Sequence, residues 1–310
     1  MYALKVTALA GGVGAARFLT GLIQLIREED LTVVVNTGDD INLFGLYISP
    51  DVDIVSYTLA GIVDEEKGWG IRDDTFGCLD RLKRYNVAGT WFNVGDQDLA
   101  THIYRTQRLA QGVSLLEIAG EISHSLGLKA KILPMSNDHF ETHITTSRGS
   151  MHFEEFFVRD QCREKILNIQ FDGVTSAKPA PQVLEALLEA DRVIVCPSNP
   201  IVSIGTILSV RGIRETLQQT EARVTAISPI VAGMPLKGPT DKMLQSLGLE
   251  VCAYSVAKLY ADFLDAYVID VKDRAEKSRI EKLGLDVLVT NTIMKSLDDK
   301  ISLAKAALRS

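Results

Sequence analysis

The stretch Val6–Arg17, with the sequence VTALAGGVGAAR, decides the fold. Its short apolar run is typical of a buried strand, and a helical pattern of apolar residues follows the glycines. A strand, a glycine turn and a helix in this order present backbone N–H groups and a positive helix N-terminus to an anion. Glycine suits the turn because a Cβ would block the close approach of phosphate oxygens. The sequence therefore predicts one wall of a site for a phosphorylated ligand, built from Gly11, Gly12, Val13 and Gly14.

Neither familiar nucleotide-binding template matches this loop. The dinucleotide fingerprint G-x-G-x-x-G/A aligns with Gly12–Arg17, but Arg17 stands where the pattern needs a small residue. The G-x-x-x-x-G-K-[ST] phosphate loop is absent because no lysine begins the helix. A generic strand-to-helix turn is the alternative. Because the glycines follow the first strand and are followed by Arg17, we favour nucleotide phosphate binding over that alternative and over NAD.

Composition limits the classes of function. The chain has 310 residues, 46% of them hydrophobic and 24% charged, which is ordinary for a globular protein with a large core. A net charge of −7 argues against a nucleic-acid partner, which usually needs a basic face. No apolar run is long enough to span a membrane, no signal peptide is visible, and the four cysteines are widely spaced. We therefore expect a cytoplasmic protein. His139 and His143 lack a third ligand for zinc and are interpreted as surface residues.

A second loop follows the next predicted strand, Leu31–Asn36. It contains Thr37-Gly38-Asp39-Asp40, and ligands in open α/β sheets lie beyond the carboxyl ends of strands. The loop should therefore stand beside the glycine turn. Two adjacent carboxylates suit Mg²⁺ or a ribose hydroxyl, so Asp39 and Asp40 are candidate ligands. The alternative is a turn that caps a helix, a role Asp40 could fill alone.

Asp51 and Asp53 belong to a predicted helix that begins at Pro50. Their D-x-D spacing directs the two carboxylates to different faces of the helix, so both need not reach one ligand. We expect one of them in the site, and Asp51 is the favoured residue.

Residues 61–127 lack the strand signal and predict a helical insertion. Ser114 and Glu117 form a capping-box pattern for one of its helices. The loop Gly89–Asp96 carries Trp91 between glycines, and an aromatic ring on such a loop can stack on a planar ligand. The alternative is that Trp91 only packs the insertion onto the core. The domain prediction is a Rossmann-like core of residues 1–60 and 128–310, with the insertion contributing to an acceptor pocket.

The rest of the chain returns to strand–helix alternation. A hairpin is predicted from His143–Thr146 and Met151–Val158, and later buried strands end in Pro197-Ser198-Asn199-Pro200 and at Ser228. These loops should lie on the same rim as the glycine turn and contact phosphate or base. The pattern predicts an α/β protein with a Rossmann-like, doubly wound, mainly parallel sheet.

Taken together, these loops resemble the 2-phospho-L-lactate transferase family of coenzyme F-420 biosynthesis. The resemblance covers nearly the whole chain, with the motifs in the same order. The matching pieces are LAGGVGAARFLTGL (Leu9–Leu22), VVNTGDD (Val34–Asp40), SPDVDIVSYTLAG (Ser49–Gly61), GTWFNVGDQDLATHIYRT (Gly89–Thr106), CPSNPIVSIGTIL (Cys196–Leu208) and SPIVAGMPLKGP (Ser228–Pro239).

The resemblance implies a reaction. Guanosine-diphosphate-activated lactate, or a related enolpyruvoyl compound, would donate its phospho-acid to the deazaflavin Fo, 7,8-didemethyl-8-hydroxy-5-deazariboflavin. GMP would leave, and the product would be coenzyme F-420-0. Mg²⁺ is the expected metal, and a homodimer the expected assembly. The rivals are a non-enzymatic nucleotide-sugar-binding regulator of the same superfamily and an NAD-dependent oxidoreductase.

The resemblance also implies roles for the candidate residues. The Gly11–Gly14 turn and the Pro197–Pro200 loop would hold the guanosine diphosphate. Asp51 would contact the ribityl hydroxyls of Fo and accept the proton, and Thr90 and Trp91 would wall the deazaflavin. The expected metal ligands are Asp39, Asp40 or Asp51, and the cation facing the leaving phosphate is Arg17 or Arg72.

Overall fold

The computed structural model describes residues 4–236 and 238–310, so Lys237, within the Ser228–Pro239 motif, lies outside the described residues. The helices form wherever apolar residues recur at helical spacing. They are Gly12–Leu22 (α1), Pro50–Leu59 (α2), Gly77–Arg84 (α3), Asp96–Ala110 (α4), Leu115–Ser125 (α5), Val183–Leu188 (α6), Ile204–Ser209 (α7), Ile213–Gln219 (α8), Thr240–Ser246 (α9), Ala253–Tyr260 (α10), Lys277–Glu281 (α11) and Leu297–Arg309 (α12).

The strands divide between one large sheet and three small ones. They are Val6–Ala10 (β1), Leu31–Val35 (β2), Ile41–Leu43 (β3), Leu46–Ile48 (β4), Lys131–Pro134 (β5), Glu141–Thr146 (β6), Gly149–His152 (β7), Asn168–Asp172 (β8), Arg192–Val195 (β9), Arg223–Ile227 (β10), Ile230–Val231 (β11), Met234–Pro235 (β12), Ala266–Asp270 (β13) and Asp286–Thr290 (β14).

The large sheet has seven strands in the order β14-β13-β10-β9-β1-β2-β5. Every neighbouring pair in it is parallel. Because both faces of a parallel sheet are covered, its central strands are mainly apolar, and all five residues of β1 are buried. The predicted α/β, Rossmann-like fold is confirmed. The carboxyl ends of β1, β2, β9 and β10 meet along one rim, which positions the candidate site.

Two apolar cores lie on opposite faces of the sheet. Phe18 and Leu19 of α1 pack with Leu303 of α12 on one face, and helices α6–α8 and α10 cover the other. The α1–α12 contact is so close that a Cβ at Gly21 would lie 2.3 Å from the Lys300 backbone. Helix α1 is therefore held rigidly, and the glycine turn at its start is held with it.

The segment between β2 and β5 holds the β3–β4 hairpin and helices α2–α5. The predicted capping box of α5 is present, with Ser114 accepting from the Glu117 N–H and Glu117 accepting from the Ser114 N–H. Helix α4 begins at Asp96, directly after the Gly89–Asp96 loop that carries Trp91. The predicted division into core and insertion stays a prediction.

A three-stranded sheet in the order β7-β6-β8, here called the small sheet, stands beside the main sheet. The predicted hairpin is present, but the strand expected over Met151–Val158 is wrong beyond His152. The chain there forms a π-helical turn at Glu155–Arg159, because its phenylalanines at 153, 156 and 157 have helical spacing. The turn aims Phe156 into a small apolar core and leaves Glu154 buried.

Candidate functional site

The glycine turn is shaped by close backbone contacts. Gly12 adopts a left-handed φ of 66°, which glycine tolerates best. A Cβ at Gly14 would lie 2.3 Å from the Pro197 carbonyl oxygen, and one at Gly11 would lie 2.5 Å from the Ser203 Cβ. The Gly11 N–H donates to Ser198 Oγ over 3.3 Å. The structure thus brings the glycine turn into contact with the Pro197–Pro200 loop, here called the proline loop. The N–H groups of Val13 and Gly14 lie in the first turn of α1, at its N-terminus.

Asn36, at the end of β2, connects these loops. Its amide nitrogen donates to Asp51 Oδ2 over 2.9 Å and to the Val202 carbonyl over 3.2 Å. Its amide oxygen accepts from the Gly38 N–H at 2.8 Å and from Thr206 Oγ1 at 2.6 Å. A single buried side chain therefore fixes four segments of the rim. From its sequence position Asn36 was expected only to end a strand, so this role was missed.

Asp51 lies at the centre of the site, in the first turn of α2 and 7% exposed. Burial raises the pKa of its carboxyl to about 6, although hydrogen bonds from Asn36 and from the Gly12 N–H act in the opposite direction. A carboxyl whose pKa is raised toward neutrality is suited to accepting a proton. The turn predicted to hold phosphate thus also holds the carboxylate expected to be catalytic.

Asp39 and Asp40 point to different neighbours. Burial first, and then the charges of Asp51, Glu154 and Asp40, raise the pKa of Asp39 well above its usual range. Asp40 instead accepts from Ser49 Oγ at 2.6 Å and from the Tyr47 hydroxyl at 2.9 Å, and burial raises its pKa to about 8. Hydroxyl donors thus meet both oxygens of Asp40, and its expected role as a metal ligand stays a prediction.

Glu154 is a buried carboxylate that sequence reasoning missed, because it fell inside an expected strand. It is 6% exposed, and burial together with the charge of Asp51 raises its pKa to about 8. We call Asp39, Asp51 and Glu154 the acidic site. The charge of Asp51 raises the pKa of both Asp39 and Glu154.

The donor set of the acidic site fits a divalent cation. Asp39 Oδ1 is buried and has no hydrogen-bond partner among residues 4–236 and 238–310. An unpaired buried carboxylate oxygen is costly, and carboxylate oxygens are the ligands that Mg²⁺ prefers. Asp39 and Asp51 could therefore hold such an ion.

A second acidic cluster lies behind the site. Asp53 forms an ion pair with both terminal nitrogens of Arg105, which is 1% exposed, and Asp98 and His102 lie next to it. The carboxylates and His102 have ligand atoms within 4.8 Å of one another. Arg105 already neutralises Asp53, so this cluster is better suited to joining α2 to α4 than to holding a metal. As expected from the D-x-D spacing, Asp51 and Asp53 face different partners.

The proline loop and Ser228 lie on the rim, but some of their side chains already form hydrogen bonds within the protein. Asn199 Oδ1 accepts from the Ile201 and Val202 N–H groups, which makes it a turn residue rather than a free ligand group. Ser228 Oγ bonds within its own turn, to Ile230. Pro197 and Pro200 frame the loop, and Ser198 meets Gly11.

Trp91 packs on the β3–β4 hairpin rather than on the glycine turn. Its ring meets Phe92 edge-on, with centroids 5.8 Å apart, and the Arg159 guanidinium lies 5.9 Å from its centroid. Trp91 and its neighbour Thr90 are half-buried. Trp91 therefore takes part in packing within the protein, as the alternative interpretation expected. Its stacking on a planar ligand stays a prediction.

The two candidate cations are both exposed. Arg17 points outward from α1, and Arg72 donates to the Gly61 carbonyl at 3.0 Å. Neither reaches the acidic site through a hydrogen bond in the described part of the chain. Over the same residues, none of the helices is long and apolar enough to cross a membrane.

Fold and site together define a Rossmann-like α/β protein with buried carboxylates at the carboxyl edge of its sheet. The family model described as 2-phospho-L-lactate transferase CofD matches residues 6–297. The chain belongs to this family of transferases, as the sequence motifs predicted.

Curated relatives support the same family assignment. A phosphoenolpyruvate transferase of Kitasatospora aureofaciens is 42% identical over 98% of this chain and 97% of its own. A 2-phospho-L-lactate transferase of Methanosarcina mazei is 39% identical over 97% of this chain and 98% of its own. The crystal structure of a member of the UPF0052 family from Bacillus halodurans has a TM-score of 0.64 at 18% identity, covering 99% of both chains, and supports the fold alone.

Proposed function

We propose that this transferase moves the phospho-acid of a guanosine-diphosphate-activated three-carbon acid, lactate or enolpyruvate, to a ribityl hydroxyl of Fo. The products are coenzyme F-420-0 and GMP. The single observation that carries the proposal is Asp51. It is a buried carboxylate with a pKa of about 6 that lies directly against the glycine turn, since a Cβ at Gly11 would stand 2.8 Å from its Oδ2. That turn begins a helix suited to diphosphate.

The chemistry requires one bond to form and one to break. The Fo hydroxyl oxygen attacks the phosphorus that carries the three-carbon acid, and the bond from that phosphorus to the oxygen of GMP breaks. Asp51 accepts the hydroxyl proton, and the Asn36 amide, 2.9 Å away, keeps the carboxylate oriented. Phosphoryl transfer depends mainly on positioning and charge neutralisation, so the fixed rim of loops suits it.

The donor nucleotide would lie along the glycine turn and the proline loop. The N–H groups of Val13 and Gly14 lie in the first turn of α1, where a helix leaves its N–H groups free for phosphate oxygens. The absence of a Cβ at Gly14 keeps the Pro197 carbonyl close, and a larger residue would force the two loops apart.

Mg²⁺ is the proposed cofactor, with Asp39 and Asp51 as the residues that would hold it. When bound, it would neutralise charge on the diphosphate. The unpartnered Asp39 Oδ1 supports this assignment. The homodimer and the Trp91 contact with Fo remain further proposals.

The enzyme is preferred to a regulator because the family match covers residues 6–297 and the relatives are named as transferases. The NAD alternative is weakened because Arg17, at the third position of the dinucleotide pattern, is exposed on α1.

The test is product analysis. Purified protein, Fo and Mg²⁺ are incubated in parallel with lactyl-diphosphoguanosine and with its enolpyruvoyl analogue, and the products are separated by chromatography. We expect GMP and a deazaflavin phosphodiester in equal amounts from at least one donor, and none with EDTA. Fo that stays unchanged with both donors would refute the proposal.

A further inference from the structure

Ser203 lies directly against the glycine turn. It is the residue before α7, within the Cys196–Leu208 motif, and it is 6% exposed. A Cβ at Gly11 would stand 2.5 Å from the Ser203 Cβ and 2.9 Å from the Ser203 Oγ. Position 11 therefore needs glycine so that Ser203 can pack there, and the serine hydroxyl lies beside the Gly11 backbone.

The Ser203 hydroxyl also lies near the carboxylate of Asp51. The same Cβ position at Gly11 is 2.8 Å from Asp51 Oδ2 and 2.9 Å from Ser203 Oγ. Both oxygens are thus within contact distance of a single point on the glycine turn. The hydroxyl of Ser203 and the carboxylate proposed to accept the proton therefore belong to the same part of the site.

The backbone around Ser203 is held in place by hydrogen bonds. The Ser203 N–H donates to the Asn199 carbonyl at 3.3 Å, and the Ser203 carbonyl accepts from the Ile207 N–H at 3.3 Å. The preceding carbonyl, of Val202, accepts from the Asn36 amide at 3.2 Å. These bonds fix where the Ser203 side chain leaves the chain, next to the glycine turn.

The Ser203 hydroxyl is not used within the protein. A serine directly before a helix commonly caps it, but Ser203 makes no such bond, and no residue that the structure describes forms a hydrogen bond with its Oγ. By contrast, Ser198 Oγ accepts from the Gly11 N–H, and Ser209 Oγ donates to the Thr206 carbonyl. A positioned and largely buried hydroxyl without a partner, beside a turn suited to phosphate, indicates a contact with a ligand. A hydroxyl can donate a hydrogen bond to a phosphate oxygen.

We propose that the Ser203 hydroxyl donates a hydrogen bond to the donor phosphate that carries the three-carbon acid. This inference rests on the proposed transfer and adds a residue that contacts the reacting group. Asp51 accepts the proton of the hydroxyl that attacks this phosphorus, so a serine beside Asp51 meets this phosphate rather than the phosphate of GMP. Hydrogen-bond donors fixed around a transferring phosphoryl group stabilise the charge on its oxygens.

The experiment compares GDP with GMP, because GMP lacks the phosphate that Ser203 is proposed to contact. Calorimetry gives the affinity of the full-length protein for each nucleotide in the same Mg²⁺ buffer. The variant Ser203→Ala removes only the hydroxyl. The matched control is Ser209→Ala on α7, whose hydroxyl bonds the Thr206 carbonyl of its own helix at 2.7 Å.

We expect Ser203→Ala to weaken GDP binding about 10-fold or more, because a hydrogen bond to a charged group is lost. GMP binding should not change, and this also shows that the variant folds. Ser203→Cys, whose thiol is a weak donor, should lie between Ser203→Ala and the wild type. Ser209→Ala should bind both nucleotides as the wild type does.

Wild-type affinity for GDP in Ser203→Ala, an equal loss for GDP and GMP, or no GDP binding by the wild type would overturn the inference. Failure of the proposed function is seen separately, in product formation by the wild type. A selective loss of GDP affinity in a protein that makes no product would refute the transfer reaction and still support the contact between Ser203 and phosphate.

Discussion

The substitution Asn36→Asp probes the connection on which the site depends. It exchanges one NH₂ group for an oxygen and changes little in shape. The hydrogen bonds that Asn36 accepts from Gly38 and Thr206 remain. The bonds it donates to Asp51 Oδ2, at 2.9 Å, and to the Val202 carbonyl, at 3.2 Å, become contacts between acceptors.

The magnitude follows from those two contacts. A hydrogen bond to a charged group contributes about 1.5–3 kcal/mol, and a buried carbonyl left unpaired costs about 1–3 kcal/mol. We therefore expect Asn36→Asp to lower the free energy of unfolding by roughly 3–5 kcal/mol at pH 7.5. The loss should shrink toward pH 5, because the introduced carboxyl group, once protonated, can again donate a hydrogen bond to Asp51.

The matched control is Asn199→Asp in the neighbouring loop. Asn199 Oδ1 keeps both N–H partners, and only the weak contact of its amide nitrogen with Met243 Sδ is lost. The expected loss is about 1 kcal/mol or less. Urea unfolding followed by circular dichroism and tryptophan fluorescence gives both values. Equal losses in the two variants, or a loss in Asn36→Asp that does not depend on pH, would refute the argument.

Three further predictions follow from the same structure. Gly14→Ala should destabilise the protein by about 1–3 kcal/mol and weaken GDP binding, since its Cβ would lie 2.3 Å from a backbone carbonyl of the facing proline loop. Gly120→Ala, in open space on α5, should instead stabilise it by up to about 1 kcal/mol, and urea unfolding with GDP titration separates the two. Arg105→Met should cost about 3–5 kcal/mol, because its buried carboxylate partner loses its counter-charge, and a loss below about 1 kcal/mol in urea unfolding would contradict this. Without metal, the free energy of unfolding should fall by roughly 3 kcal/mol or more between pH 5 and pH 8. Burial raises the pKa of Asp51 to about 6 and that of Glu154 to about 8, so the folded state binds more protons than the unfolded state over this range. Added Mn²⁺ should reverse the fall, and constant stability in EDTA would contradict the prediction.

The main sheet could be predicted because its strands carry a local signal. The β1 and β2 sequences are apolar apart from one threonine each, and the glycine turn between β1 and α1 has few physical alternatives. The same rule about strand ends brought the glycine, aspartate and proline loops to one rim, where the structure has them. The capping box at Ser114 could be predicted for the same reason, because it depends only on Ser114 and Glu117, three residues apart.

The missed residues depend on contacts distant in sequence. The small sheet, which precedes Glu154, contacts the Thr37–Asp40 loop through the carbonyl groups of Gly38 and Asp40. No residue spacing in the sequence predicts those contacts. The short β3–β4 hairpin was missed because its strands have three residues each. Asn36 did carry a signal, since a polar amide ended a buried strand on the predicted rim.

Asp51 is proposed to accept the proton of the attacking hydroxyl beside the glycine turn, and this role is measured by comparing Asp51→Asn with the exposed control Asp73→Asn. GMP release and deazaflavin phosphodiester formation are measured at saturating donor and Fo, and GDP affinity is measured separately by calorimetry. We predict that Asp51→Asn loses about 100-fold or more in turnover, while GDP still binds and Asp73→Asn behaves as the wild type. Turnover by Asp51→Asn within about threefold of the wild type would show that Asp51 does not serve as the base.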